Sequence, residues 1–97
     1  MKRDVRAWLA CEVLPGLFSN ERFVIVRPEP NGREATLFVD DSLVREDATP
    51  ERGRSVPGSI KVYVCDDSRE KVSVLLPAQS PELGIFVSVP RALLSPA

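Results

Sequence analysis

The stretch SIKVYVCDDSREKVSVLLP, residues 59–77, holds two runs of alternating apolar residues separated by a short polar segment. The apolar residues that share a side are Ile60, Val62 and Val64 in the first run and Val72, Val74 and Leu76 in the second. This alternation predicts a β-hairpin whose two arms bury the same face. We expect Val64 to lie opposite Val72 across an odd-length polar loop, either residues 67–69 or, with fraying, residues 66–70, because a two-residue loop would turn one set of valines to solvent.

Three further segments have the composition of β-strands, namely residues 22–27, 35–39 and 85–89. The run FVIV at 23–26 is apolar on both faces, which predicts a central strand. Pro90 ends the last strand, and residues 91–94 can form one helical turn. Residues 22–44 and 71–94 follow the same order of strand, proline-led loop, strand and leucine-bearing segment. This echo suits a rolled sheet with pseudo-twofold character, although chance explains it as well.

The N-terminal residues 5–14 are predicted to form a helix. Asp4 is a suitable N-cap, the run lacks glycine and proline, and Pro15 follows it. At 100° per residue, one apolar stripe is formed by Val5, Leu9 and Val13 and extended by Trp8. Because alanines and a cysteine occupy most of the remaining circumference, we expect the helix to lie between its own sheet and a second subunit. The alternative is that these small residues are tolerated at the surface.

The chain is therefore expected to be a single domain over residues 1–97 of α+β, mainly β, class. A helix over residues 5–14 precedes about five mostly antiparallel strands over residues 22–94, forming a small barrel or strongly bent sheet of the size of an SH3-like domain. An open sheet flanked by the helix is the alternative. Residues 45–58 are rich in charge, proline and glycine, and predict a mobile loop.

Composition narrows the function. The chain has no histidine, a net charge of -1 and two cysteines, so it lacks the commonest general base and the ligands for a structural zinc site. No glycine-rich phosphate loop and no apolar run of about twenty residues is present. We expect a cytoplasmic protein that is not an enzyme, uses no cofactor or metal and does not enter a membrane. Cys11 and Cys65 are expected to be small buried side chains.

The first functional hypothesis is a non-enzymatic interaction module that binds a protein partner or itself, as a homodimer, through the N-terminal helix or a strand edge. The residues expected to carry this interaction are Trp8, Leu9, Val13 and Tyr63. Tyr63 is included because it lies on the outward face of the predicted hairpin; its alternative is ordinary cross-strand packing.

Two other hypotheses remain open. One is a small nucleic-acid-binding barrel, less favoured because the loop acids offset its basic residues, with an anion-binding surface built from Arg22, Arg27, Arg33, Arg52 and Arg54. The other is a ligand-binding or metal-assisted enzyme domain using the strand-end acids Asp40, Asp41 or Asp66, whose alternative role is turn chemistry. The phenylalanines at 23, 38 and 86 lie in apolar runs and are expected in the core.

Overall fold

The computed structural model describes residues 5–29, 32–67 and 70–96. Its strands are β1 (Val5–Pro15), β2 (Glu21–Val26), β3 (Ala35–Asp40), β4 (Val44–Glu46), β5 (Val56–Asp66), β6 (Lys71–Ser80), β7 (Gly84–Pro90) and β8 (Leu94–Pro96). The three-residue 3-10 turns Asp41–Leu43 and Arg91–Leu93 precede β4 and β8. The predicted N-cap Asp4 and the predicted loop residues 68 and 69 lie outside this described part.

The strands form a small, nearly closed antiparallel barrel in the order β3-β2-β1-β5-β6-β7, with β4 paired to β5 and β8 paired to β1. This confirms a mainly β, barrel-like architecture. β2 lies between two neighbours, as its apolar faces predict, and the turn after Pro90 is present. Aliphatic side chains fill the interior, and those of Leu9, Val24, Ile60 and Val74 are completely buried.

The predicted N-terminal helix is wrong: residues 5–15 form β1, and the described residues contain no α-helix. The odd-numbered positions of β1 turn inward, with Ala7, Leu9 and Val13 buried. The period-2 signal was present but competed with the helix propensity of alanine, leucine and glutamate. β1 forms nine residue pairs with β5. This pairing favours the strand over the helix, because it satisfies the backbone hydrogen-bonding groups of β1 and buries its inward face.

The hairpin that the sequence predicts over residues 59–77 is formed by β5 and β6. Its pairing differs from the expected one, since Val64 lies opposite Val74 and Tyr63 opposite Leu75, with an irregularity between Val64 and Asp66. The displacement is two residues. A shift of two leaves every side chain on the same face, so the core is as predicted although the pairing is not.

The two halves of the chain repeat the same pairings. Val24 pairs with Leu37 in the first half, and Val74 pairs with Val87 in the second, so both members shift by 50 residues. The offset extends to the two 3-10 turns and the strands after them. Between β1 and β5 the offset is 51, and it relates Leu9 to Ile60, which face each other. The pseudo-twofold axis therefore passes through this central pair.

The halves are also interlocked. β4 ends the first half and pairs with β5, the first strand of the second half; β8 ends the second half and pairs with β1. Equivalent residues make these contacts, because Val44 lies opposite Ile60 and Leu94 lies opposite Leu9. Each half thus contributes its last strand to the other, which closes the barrel without a long unpaired edge on β1 or β5.

The loop predicted over residues 45–58 is shorter in the structure. Its first residues belong to β4 and its last to β5, leaving residues 47–55 as the connection. Within it the Arg54 N–H donates to the Glu51 carbonyl, closing a turn. Gly53 in this turn has φ of 77°, the left-handed region that favours glycine. Strand pairing therefore includes both ends of the 45–58 segment, although its composition is typical of a loop.

Gly58 allows β4 to approach β5 closely. A Cβ atom at this position would collide with the Arg45 carbonyl oxygen and lie 2.8 Å from Val13 Cγ2. The first contact is backbone, so it cannot be relieved by a side-chain rotation. Gly58 therefore sets the distance between the halves where β4 crosses onto β5.

We predict that Gly58→Ala lowers the free energy of unfolding by about 1–3 kcal/mol, because overpacking displaces β4. Gly53→Ala is the matched comparison: its Cβ meets nothing within 4 Å, so only the positive φ angle costs energy, about 1 kcal/mol. Urea unfolding of the two variants measures the difference. A Gly58→Ala protein as stable as wild type would contradict the close approach of β4.

Candidate functional site

The structure separates the four residues predicted for interaction. Leu9 and Val13 are completely buried in the barrel, so their contacts are with the protein's own core. Trp8 and Tyr63 lie on the outer face, Trp8 half-buried and Tyr63 40% exposed. Trp8 pairs with Lys61 and Tyr63 pairs with Arg6 on the adjoining strands β1 and β5. The structure therefore brings Trp8 and Tyr63 together on one surface.

The five predicted anion-binding arginines are not brought together. Arg22 Nε donates to Glu46 Oε1 at 2.8 Å, and this hydrogen bond raises the pKa of Arg22 above its usual value. Arg27 forms ion pairs with Glu12 and Glu34. The remaining members are placed separately: Arg33 Nη2 donates to the Glu82 carbonyl at 2.7 Å, and Arg52 and Arg54 are exposed in the 47–55 connection.

The strand-end aspartates do not converge either. Asp40 Oδ1 accepts a hydrogen bond from Ser42 N at 2.9 Å, which caps the 3-10 turn and lowers the pKa of Asp40. The Asp41 N–H donates to the Asn20 carbonyl, and Asp66 ends β5. Within residues 5–29, 32–67 and 70–96, no group of three or more acidic, cysteine or histidine side chains could hold a metal ion.

The two cysteines are not joined by a disulfide. Cys11 lies opposite Gly58, whereas Cys65 follows the Val5–Val64 pair near the other end of the same ladder. Several residues at about 3.3 Å each separate them along the strands, which exceeds disulfide reach. Burial raises the pKa of the Cys11 thiol to about 12, so Cys11 carries no thiolate for nucleophilic chemistry at neutral pH.

A cleft of about 460 Å³ opens on the outer surface of the first half, between the β1–β2 turn and the 47–55 connection. Its apolar walls are formed by Leu14, Leu17, Phe23 and Phe38. We call these four residues, together with the neighbouring Phe18, the apolar patch. The Phe23 and Phe38 rings are 4.9 Å apart between centroids and tilted by 54°. Leu17, Phe18 and Phe38 are 77%, 68% and 45% exposed. The patch therefore presents aromatic and aliphatic surface to solvent.

Sequence reasoning missed this surface by assigning the phenylalanines to the core. Phe38 follows Leu37 and precedes Val39, both of which point inward. Because successive strand residues alternate between faces, Phe38 must point outward. Phe86 next to buried Val87 follows the same rule and is 64% exposed. The alternation was the signal that could have located the patch.

The turn that carries Leu17 and Phe18 is held by backbone hydrogen bonds. Gly16 N–H donates to the Glu21 carbonyl at 3.1 Å, and Glu21 N–H donates to the Phe18 carbonyl at 3.0 Å. Leu17 N–H donates to the Glu21 carboxylate at 2.8 Å. These contacts present two exposed apolar side chains from a preformed turn, which limits the ordering cost of binding.

The fold does not require aromatic residues at the patch. At the offset of 50, the positions of Phe23 and Phe38 correspond to Ser73 and Ser88, which also pair across two strands. The same backbone geometry therefore carries two serines in one half and two phenylalanines in the other. Packing of the barrel explains neither ring, since both point away from the core.

The surroundings of the patch carry both signs of charge. Arg52 lines the cleft. Two positions along the strands from the Phe23–Phe38 pair, Glu21 pairs with Asp40, and both of these residues are acidic. The Arg52 guanidinium forms no ion pair with a carboxylate of the described residues. Basic and acidic residues thus both occur around one apolar surface.

Comparison with protein-family models, with curated proteins and with solved structures finds no significant match to this chain. In the described part of the chain, no helix has the length and apolar character needed to cross a membrane.

We predict that Cys11 is protected from thiol reagents in the native protein. In a Cys65→Ser variant, 5,5′-dithiobis(2-nitrobenzoate) should modify the remaining Cys11 at least about tenfold more slowly at pH 8 before unfolding than in urea, because its thiol is desolvated and protonated. Equal rates in the folded and unfolded protein would contradict the burial of this thiol in β1.

Proposed function

We propose that the protein is a non-enzymatic interaction module that self-associates through the apolar patch. The observation that carries the proposal is the pairing of half-buried Phe23 with exposed Phe38 beside exposed Leu17, at strand positions where the second half of the same fold has serines. Exposed apolar surface of this kind is typical of protein interaction sites. Because Phe38 lies on β3, which ends the strand order, the patch extends to the border of the sheet.

A second copy of the chain is the occupant that fits the charges. A twofold interface places the same surface on both sides, so a self-complementary patch needs both signs of charge around an apolar centre. Arg52 lies at the cleft, and the Glu21–Asp40 pair lies along the strands from the rings. In a twofold dimer, Arg52 of each copy would approach the acidic pair of the other.

The side-chain chemistry supports a role without catalysis. The chain has no histidine, Asp40 is committed to capping a turn, and the high pKa of Cys11 removes its thiolate. An acid-base or nucleophilic mechanism needs a partner group within hydrogen-bond reach. Binding through the apolar patch requires none of these groups.

The test is sedimentation equilibrium of the wild-type chain and of the Phe38→Ser variant. Serine is chosen because the second half has Ser88 at the equivalent position. We expect a concentration-dependent dimer for wild type. Phe38→Ser should raise the dimer dissociation constant about a hundredfold, because a twofold interface loses two rings at about 1.5 kcal/mol or more each. Far-UV circular dichroism checks that the variant retains the β-fold.

Phe86→Ser is the matched control, since Phe86 is also exposed, at 64% against 45% for Phe38, but lies on β7 outside the patch. It should leave the dimer unchanged. A wild-type protein that remains monomeric up to millimolar concentration would reject self-association, and a dimer weakened equally by both substitutions would reject the patch as its interface.

Charge reversal tests the orientation of the interface. Arg52→Glu should weaken the dimer about tenfold, because it places a carboxylate against the acidic pair of the other copy. Arg54→Glu changes the net charge by the same amount two residues away, outside the residues that line the cleft. Equal effects of the two variants would show that only net charge matters and would contradict the proposed charge pairing.

A further inference from the structure

A second surface, separate from the apolar patch, lies on the outer face of β1, β5 and β4. We call it the cation–aromatic face, and its residues are Arg6, Trp8, Arg45, Lys61 and Tyr63. The cross-strand pairs Arg6–Tyr63 and Trp8–Lys61 occupy successive outward positions of β1 and β5. Arg45 reaches the same face from β4, where it pairs with Ser59. Each of two rings is thus bordered by a basic residue on the neighbouring strand.

The rings hold these cations in place. The Arg45 guanidinium carbon lies 4.5 Å from the centroid of the Trp8 ring, and Lys61 Nζ lies 5.6 Å from the same ring. The Arg6 guanidinium carbon lies 5.6 Å from the Tyr63 centroid. All three distances are within the range of cation–π attraction. The contacts orient the basic groups without neutralising them.

No ion pair among the described residues involves this face, although Arg6 and Asp67 line one cleft. The basic residues in the ion pairs of the described chain are Arg22, Arg27 and Lys71, which lie on other surfaces. Arg6, Arg45 and Lys61 form none with a described carboxylate. In a chain with net charge -1, three cations without an ion pair among the described residues, placed around two rings, concentrate positive charge locally. Such a charge attracts an anionic ligand even though the whole molecule has no basic excess.

The barrel itself does not need these side chains. At the structural offsets, the position of Trp8 corresponds to Ser59 and that of Arg45 corresponds to Ser95. Ser95 pairs with Trp8 as Arg45 pairs with Ser59. In the equivalent contact of β8 with β1, the closing strand carries a serine at this position. The packing of β4 on β5 therefore does not account for Arg45 or for the indole of Trp8.

We propose that the cation–aromatic face binds single-stranded nucleic acid. Tyr63, 40% exposed, offers a surface on which a base can stack, while Trp8 holds Arg45 and Lys61 in position for backbone phosphates. Stacking surfaces next to basic groups are the arrangement that binds single strands without sequence preference. A polyacidic peptide would match the charges but would leave the Tyr63 ring without a planar partner.

The experiment measures fluorescence anisotropy of a fluorescein-labelled oligouridylate of about ten nucleotides at low salt, together with the emission of the protein. Trp8 is the only tryptophan, so binding at this face should quench the intrinsic fluorescence. For three phosphate contacts, the logarithm of the association constant should fall with the logarithm of salt concentration with a slope of about -2.

Variants separate the two contributions. Tyr63→Ser should weaken binding about tenfold through lost stacking, and Tyr63→Phe should retain it. Arg45→Gln combined with Lys61→Gln should reduce the salt slope to about -0.7, since one phosphate contact remains. Arg52→Gln combined with Arg54→Gln removes the same charge outside the face and should keep the slope of the wild type.

Four results would overturn the proposal: no binding of the oligouridylate at low salt, binding without tryptophan quenching, equal losses in the face variants and the Arg52/Arg54 control, or equally tight binding of polyglutamate that displaces the oligonucleotide. Phe38→Ser should bind the oligouridylate as wild type does. This independence distinguishes a failure of the nucleic-acid site from a failure of the proposed dimer.

Discussion

The antiparallel pairing of β1 with β5 is the contact on which the rest of the barrel depends. It joins the first strand of one half to the first strand of the other over nine residue pairs. The completely buried Leu9 and Ile60 face each other at its centre. β4 and β8 each pair with one of these two strands, so losing the ladder would remove the support of both closing strands. The pairing of β1 with β5 therefore both buries apolar side chains and satisfies backbone hydrogen-bonding groups.

The repeated halves separate what the fold requires from what it only tolerates. Inward positions at equivalent places remain aliphatic in both halves, as Val24 and Val74 illustrate. Outward positions differ: phenylalanine at 38 corresponds to Ser88, and the indole at 8 corresponds to Ser59. Because both members of each pair occupy the same strand geometry, packing of the barrel does not require Phe38 or Trp8 at these positions. This comparison is the reason for proposing the apolar patch and the cation–aromatic face as binding surfaces.

The sequence predicts the barrel more completely than it predicts the sites. Alternation identifies the β5–β6 hairpin and the strands around Val24, Leu37 and Val87, since a period of two is a local property. The helix prediction for residues 5–14 fails because pairing with β5, β2 and β8, which the local sequence does not show, makes the extended form favourable. The hairpin pairing is displaced by two residues because the irregularity after Val64 has no sequence signal. The cation–aromatic face is assembled from strands far apart in sequence, since Arg45 contacts Trp8 only because β4 pairs with β5.

The most direct test of this architecture is an NMR assignment of Val5–Pro15 with amide hydrogen exchange. The interlocked barrel predicts extended-backbone chemical shifts across this segment, cross-strand nuclear Overhauser contacts between the Leu9 and Ile60 residues, and slow exchange of the amides that pair with β5. Helical shifts over residues 5–14, or the absence of any contact between Leu9 and Ile60 in the folded protein, would contradict the central pairing.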